Sequence, residues 1–171
     1  EEKIRWVNFN SRRGFEENKL LPGFVPDGLD GFTQTAYTKT MTLYFNGSKS
    51  FFEHVLTHEL AHEFQIQTLG KGFRNVPLWF LEGSAEHFSE KWGADGEPLM
   101  RDAYLNGFLA PISEAGRFQG SGPILYKESQ FISNYIYEQY KKDGYDPVVD
   151  LFKKSSYQKF DKSLEEVTGL N

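Results

Sequence analysis

Hydrophobic and polar positions follow two different periods along this chain, and the change falls near residue 48. Ile4 to Phe9 alternates apolar and polar, which predicts a short strand. Asn10-Ser11 offers an N-cap for a short helix running toward Lys19. Leu21 to Gly31 is broken by Pro22, Gly23, Pro26, Gly28 and Gly31 and reads as loop. Phe32 to Phe45 is rich in Thr, Tyr and Phe and alternates over Met41, Leu43 and Phe45. It predicts one or two strands closed by the Asn46-Gly47 turn.

Beyond Ser48 the spacing becomes helical. Phe52, Leu56, Leu60 and Phe64 make one row, and Phe51, Val55, His58, His62 and Gln65 another. Apolar residues around so much of the circumference predict a mostly buried helix, ended by Gly70 and Gly72. Pro77 suits the first turn of a second helix over Leu78 to about Trp92, and a third is expected from Gly96 to about Asn106. Gly107 to Gly122 reads as a Gly-rich loop that could shape a cleft. Helix returns over Tyr126 to Lys142, then from an Asp146 cap with Pro147 behind it, and in a last helix stopping at Gly169. Strands first and helices afterwards predict an α+β fold in one domain over residues 1–171, sheet-rich to 47 and helical from 48.

Composition narrows the chemistry. The 171 residues carry a net charge of −5 with basic residues scattered, which leaves no electrostatic footprint for nucleic acid. No apolar run approaches the roughly 20 residues needed to span a bilayer. The first residues, Glu1-Glu2-Lys3, are neither an initiator Met nor a signal peptide, which suggests a piece of a longer protein. Cysteine is absent, so any metal must be held by His and carboxylate. The four histidines are His54, His58, His62 and His87, three of them within nine residues.

His58-Glu59-Leu60-Ala61-His62 is an HExxH sequence on a predicted helix. Residues four apart lie one turn up and only about 40° round, so two imidazoles can reach one ion. Glu59 sits about 100° away, awkward as a ligand but suited to take a proton from water activated by zinc. The competing reading is a buried helix with two satisfied core histidines, and composition alone yields such a match roughly once in a hundred similar chains. Glu82 falls twenty residues after His62, among Trp79, Phe80, Leu81 and Ala85, with Glu86 one turn later. Two acids at that spacing repel mildly unless a cation or imidazole lies between them.

This layout resembles the gluzincin metallopeptidases, the thermolysin-like and aminopeptidase N-like enzymes with HExxH and a downstream Glu ligand. The run Val55 to Gln65 followed by Pro77 to Glu86 is similar to small bacterial peptidase domains that often precede a Tol-type β-propeller; none of the propeller is present in this sequence. The resemblance spans roughly residues 30 to 170 in layout, with its specific motifs at 54–65 and 77–88. It implies a zincin-like fold, a small N-terminal sheet packed on the HExxH helix followed by a helical part. It also implies one zinc ion on His58, His62 and Glu82, Glu59 as general base, and Glu86 hydrogen-bonded to a ligand imidazole. Leu125 to Phe131 resembles the family's Tyr-x-x-Gly/Ser segment at the start of a helix, which makes Tyr126 the candidate for oxyanion stabilisation; an ordinary packing aromatic is the bland alternative.

The expected function is zinc-dependent hydrolysis of peptide or protein substrates. Asp30 to Tyr37 has no match to the Gly-x-Met-Glu-Asn strand by which the aminopeptidases hold a substrate amine, so an endopeptidase is favoured. That segment still suits an edge strand able to pair with an extended peptide. The rival expectation is a non-catalytic zinc- or peptide-binding module on the same fold. His54 reads as a partly buried, satisfied side chain one turn before His58, and His87 as structural or surface. The resemblance favours a periplasmic or secreted setting.

Overall fold

The computed structural model of the chain describes residues 3–18, 30–34, 40–89, 96–109, 111 and 122–170. It is an α+β fold with a small sheet and mostly helices. The elements are strand β1 (Arg5–Phe9), helix α1 (Arg12–Glu16), strands β2 (Gly31–Gln34) and β3 (Thr40–Tyr44), then six helices among the described residues. These are α2 (Lys49–Leu69), α3 (Leu78–Ser89), α4 (Gly96–Leu105), α5 (Gly122–Tyr140), α6 (Pro147–Ser155) and α7 (Phe160–Thr168). Residues 21–29 of the loop expected from Leu21 to Gly31, the end of the second helix beyond Ser89 and most of the proposed cleft loop lie outside the described residues, and Gly31 itself opens β2.

The sheet order is β1-β3-β2, with β1 parallel and β2 antiparallel to β3. Alternation decides which neighbour each strand residue meets. Met41 and Leu43 turn toward α2 and pack with Val55, while Tyr44 turns to the other face and meets Phe15 of α1. Phe45, expected to continue the buried alternation, lies past the strand end, 42 % exposed, and stacks edge-on against Phe52. Ser11 caps α1 through the Gly14 amide, Ser48 caps α2 through Phe51, and Asp146 caps α6 through Val148 and Val149.

Three expectations need correction. Gly70 does end α2, at a positive φ of 52°, but a 3₁₀ turn over Gly70–Asn75 follows, with Gly72 pressed on the backbone of Ser155 and Ser156. The fifth helix begins at Gly122 rather than Tyr126, because Pro123 is tolerated in a first turn whose amides have no intrahelical partners. Most consequential, α2 is not buried round most of its circumference: Phe52 and Leu56 pack partly against the sheet, but the rest of their row does not. Leu60 and Phe64 are 41 % and 43 % exposed, whereas His54, His58, Glu59, Glu63 and Gln65 point inward. His54, His58 and Gln65 meet partners on α3 and Glu59 meets one on β2, and that pairing outweighs the apolar count.

The main core lies behind this polar layer. Leu69, Val76, Trp79, Phe80, Ile136, Val148, Leu151, Phe152 and Phe160 form one buried cluster. Phe80 stands 4.9 Å, ring to ring, from both Phe152 and Phe160. At Gly83 the helices α3 and α5 approach so closely that a Cβ would overlap the Ser129 carbonyl. That contact sits one residue from Glu82 and holds α5, with Tyr126, over the polar face of α2.

Candidate metal centre

Four elements converge on one point. Helix α2 supplies His58 and His62 one turn apart, α3 supplies Glu82 and Glu86, α5 supplies Tyr126, and β2 closes on Glu59. His58 Nε2 and His62 Nε2 are 3.0 Å apart. Glu82 Oε2 lies 3.3 Å from the first and 3.4 Å from the second. Among the described residues this is the one group of three or more side chains able to hold a metal.

The donor set fits zinc. Tetrahedral bonds of about 2.0–2.1 Å separate neighbouring ligand atoms by about 3.3–3.4 Å, so the three donors outline one face of such a tetrahedron. Each ring also has a polar partner beside its Nδ1. Glu86 Oε1 lies 2.9 Å from His58 Nδ1, and Gln65 Oε1 lies 2.9 Å from His62 Nδ1. The Gln65 amide nitrogen donates to the Leu81 carbonyl and to Ser84 Oγ, which leaves its oxygen as the acceptor facing His62. Nδ1 of His62 therefore carries hydrogen and Nε2 presents its lone pair to the centre, the arrangement outer partners impose on metal-binding imidazoles.

Charge is concentrated here. Burial opposes the charged ring of His58, yet hydrogen bonding to Glu82 and Glu86 and the charge of Glu59 push it up to about 10. His62 is raised in the same way, chiefly by Glu82 working against burial. Burial lifts Glu82 and Glu86, but their histidine partners hold both down to about 2. Burial first, then the charges of Glu82, Glu59 and Glu86, push the Tyr126 hydroxyl well above its ordinary range, so it stays protonated as a donor.

Every residue singled out in the sequence for this site arrives at it. Tyr126 stacks obliquely with its ring 6.3 Å from that of His58, in the second turn of α5. His54 is buried with Nε2 3.6 Å from Glu86 Oε1, so it backs Glu86 and does not line the donor triangle. His87 points away, bonded to Asn134 and stacked on Tyr137. Two contributors were not foreseen. Gln65 had a visible signal, a polar residue three positions after His62 on its own face. Thr33 had none, because it meets Glu59 across 26 residues of chain.

No family model, curated protein or solved structure matches the chain.

Proposed function

We propose that this chain is a zinc-dependent peptidase of the gluzincin type, with a zincin-like arrangement of sheet and helices. The observation carrying the reading is the triangle of His58, His62 and Glu82 donor atoms at 3.0, 3.3 and 3.4 Å with a buried Glu59 beside it. Zinc held by these three residues supplies Lewis acidity, bringing the pKa of a water to about 7 and polarising a substrate carbonyl.

The remaining steps belong to the chain's own side chains. Glu59 takes the proton of the attacking water and returns it to the leaving amine. Tyr126, kept protonated by its surroundings, donates to the oxyanion as charge develops on the carbonyl oxygen. Glu86 and Gln65 keep the imidazoles aimed. The outer edge of β2 is unpaired among the described residues and runs alongside Glu59, which suits an extended peptide adding as a further strand. A strand with no carboxylate at positions 30–34 beyond Asp30 favours internal cleavage over removal of N-terminal residues.

Zinc content and hydrolysis of a denatured protein, measured for the wild type and Glu59→Gln, test the reading. About one zinc per chain is expected in both, with turnover lowered by about 10²–10⁴-fold in the variant. Full activity in Glu59→Gln overturns the mechanism. Zinc bound without turnover in the wild type leaves a binding module, and absence of zinc in both removes the site. Mass spectrometry of the fragments separates internal from terminal cleavage.

A further inference from the structure

Glu59 is gripped from outside the helix that carries it. Thr33 Oγ1 lies 2.5 Å from Glu59 Oε2, at the short end for a hydroxyl donating to a carboxylate. The same oxygen is 3.2 Å from the Glu59 carbonyl, but a hydroxyl has one proton and the charged, nearer acceptor takes it. Thr33 and Glu59 are only 8 % and 6 % exposed, so water competes little for either. Thr33 stands opposite Met41 in the β2–β3 ladder, which fixes the hydroxyl through the sheet and not through a flexible loop. Two residues back, on the same face of β2, Gly31 completes the cradle. A Cβ there would fall 2.8 Å from Val55 Cγ1 and 2.9 Å from Glu59 Cγ and Oε1.

Resting on the peptidase reading above, we infer that Thr33 is the positioning residue for the general base. It engages Oε2 of Glu59 so that Oε1 alone is left to accept the proton of the attacking water. A Glu side chain otherwise samples many rotamers, and its terminal torsion is broad. One hydroxyl bond combined with the close approach of Gly31 confines it to a single pose. Thr33 reaches none of the three metal-binding atoms, so its effect falls on turnover and not on metal affinity.

The test compares Thr33→Val, nearly the same shape without the hydroxyl, with Thr33→Ser, which restores it. Thr33→Val is expected to lower kcat by about 10–100-fold, the usual range for partners behind a functional group, with KM and zinc affinity unchanged. Thr33→Ser is expected to recover most of the lost kcat. In the zinc-free wild type the Thr33 hydroxyl proton should exchange slowly and show a nuclear Overhauser contact to the Glu59 side chain. Wild-type kcat in Thr33→Val, or equal losses in Thr33→Val and Thr33→Ser, overturns the assignment. So does loss of zinc in Thr33→Val. Should Thr33→Val fail to fold, a rapidly exchanging Thr33 hydroxyl in the wild type overturns it instead. An inactive wild type sinks the peptidase reading and with it the role in turnover, while the hydroxyl resonance separately reports whether the pairing itself exists.

Discussion

Helices α2 and α6 bury opposite kinds of surface. Helix α6 turns Val148, Leu151 and Phe152 inward and leaves Lys153 in solvent, as its amphipathic spacing demands. Helix α2 turns His54, His58, Glu59, Glu63 and Gln65 inward and leaves Leu60 and Phe64 on the surface. Burying so many ionisable groups disfavours folding unless each finds a partner, and a row of leucines in their place would pack more simply. The helices facing α2 share this burden, since Glu86 of α3 and Lys127, Glu128 and Gln130 of α5 are buried as well, while α6 follows the ordinary rule.

The largest expected effect strikes the apolar side of the comparison. Phe80 is fully buried against Phe152, Phe160 and Trp79, so Phe80→Ala should cost about 3–5 kcal/mol, read by chemical denaturation. A loss below 1 kcal/mol would mean that this cluster is not the core that supports α3.

On the polar side, Gln65→Met keeps the approximate volume but removes the acceptor for His62 Nδ1 and both donors to α3. Zinc affinity should fall by about 10–100-fold, measured by competition with a chelator. Unchanged affinity would show that α2 needs no outside support to aim its histidine.

The effect that separates the regions by pH concerns the metal-free protein. His58 is held up to about 10 from 6.5, so its stabilisation is complete below pH 6.5 and fades as pH climbs toward 10. Glu82 and Glu86 are held down to about 2 from 4.5, so theirs is complete above pH 4.5 and fades as pH falls toward 2. Metal-free stability should therefore decline between pH 6.5 and 10, and zinc should remove that decline, because ligand imidazoles must be unprotonated. Denaturation at pH 6 and pH 9, with and without zinc, measures it; equal metal-free stability at both would dissolve the charge network. Phe80→Ala should leave the slope untouched.

Much of the centre could be read from spacing alone. His58 and His62 lie one turn apart because any α-helix puts them there, and Glu59 lies off their face for the same reason. The caps at Ser11 and Asp146 were equally legible, since they depend on three or four consecutive residues. The orientation of α2 was not. Counting apolar residues round its circumference predicts a mostly buried helix without saying which face turns inward, because the count knows nothing of Glu82, Glu86 and Ser84 waiting on α3. The 3₁₀ turn after Gly70 and the early start of α5 at Gly122 were missed as well, both being continuations that neighbouring elements permit.

By itself, then, the sequence determined the order of strands and helices, the exclusion of thiolate ligands and the pairing of two imidazoles on one helix. All of these follow from local periodicity or from the residues present. Tertiary structure decided that Glu82 closes the donor triangle, that Leu81 and Ser84 anchor the Gln65 amide, that Glu86 faces His58, and that Thr33 grips Glu59. Those contacts join segments from 16 to 28 residues apart, and only the packing of α3, α5 and the sheet against α2 brings their atoms within reach. Helical periodicity can say which residues share a face, but the partners of that face decide whether it turns toward water or toward the centre of the molecule.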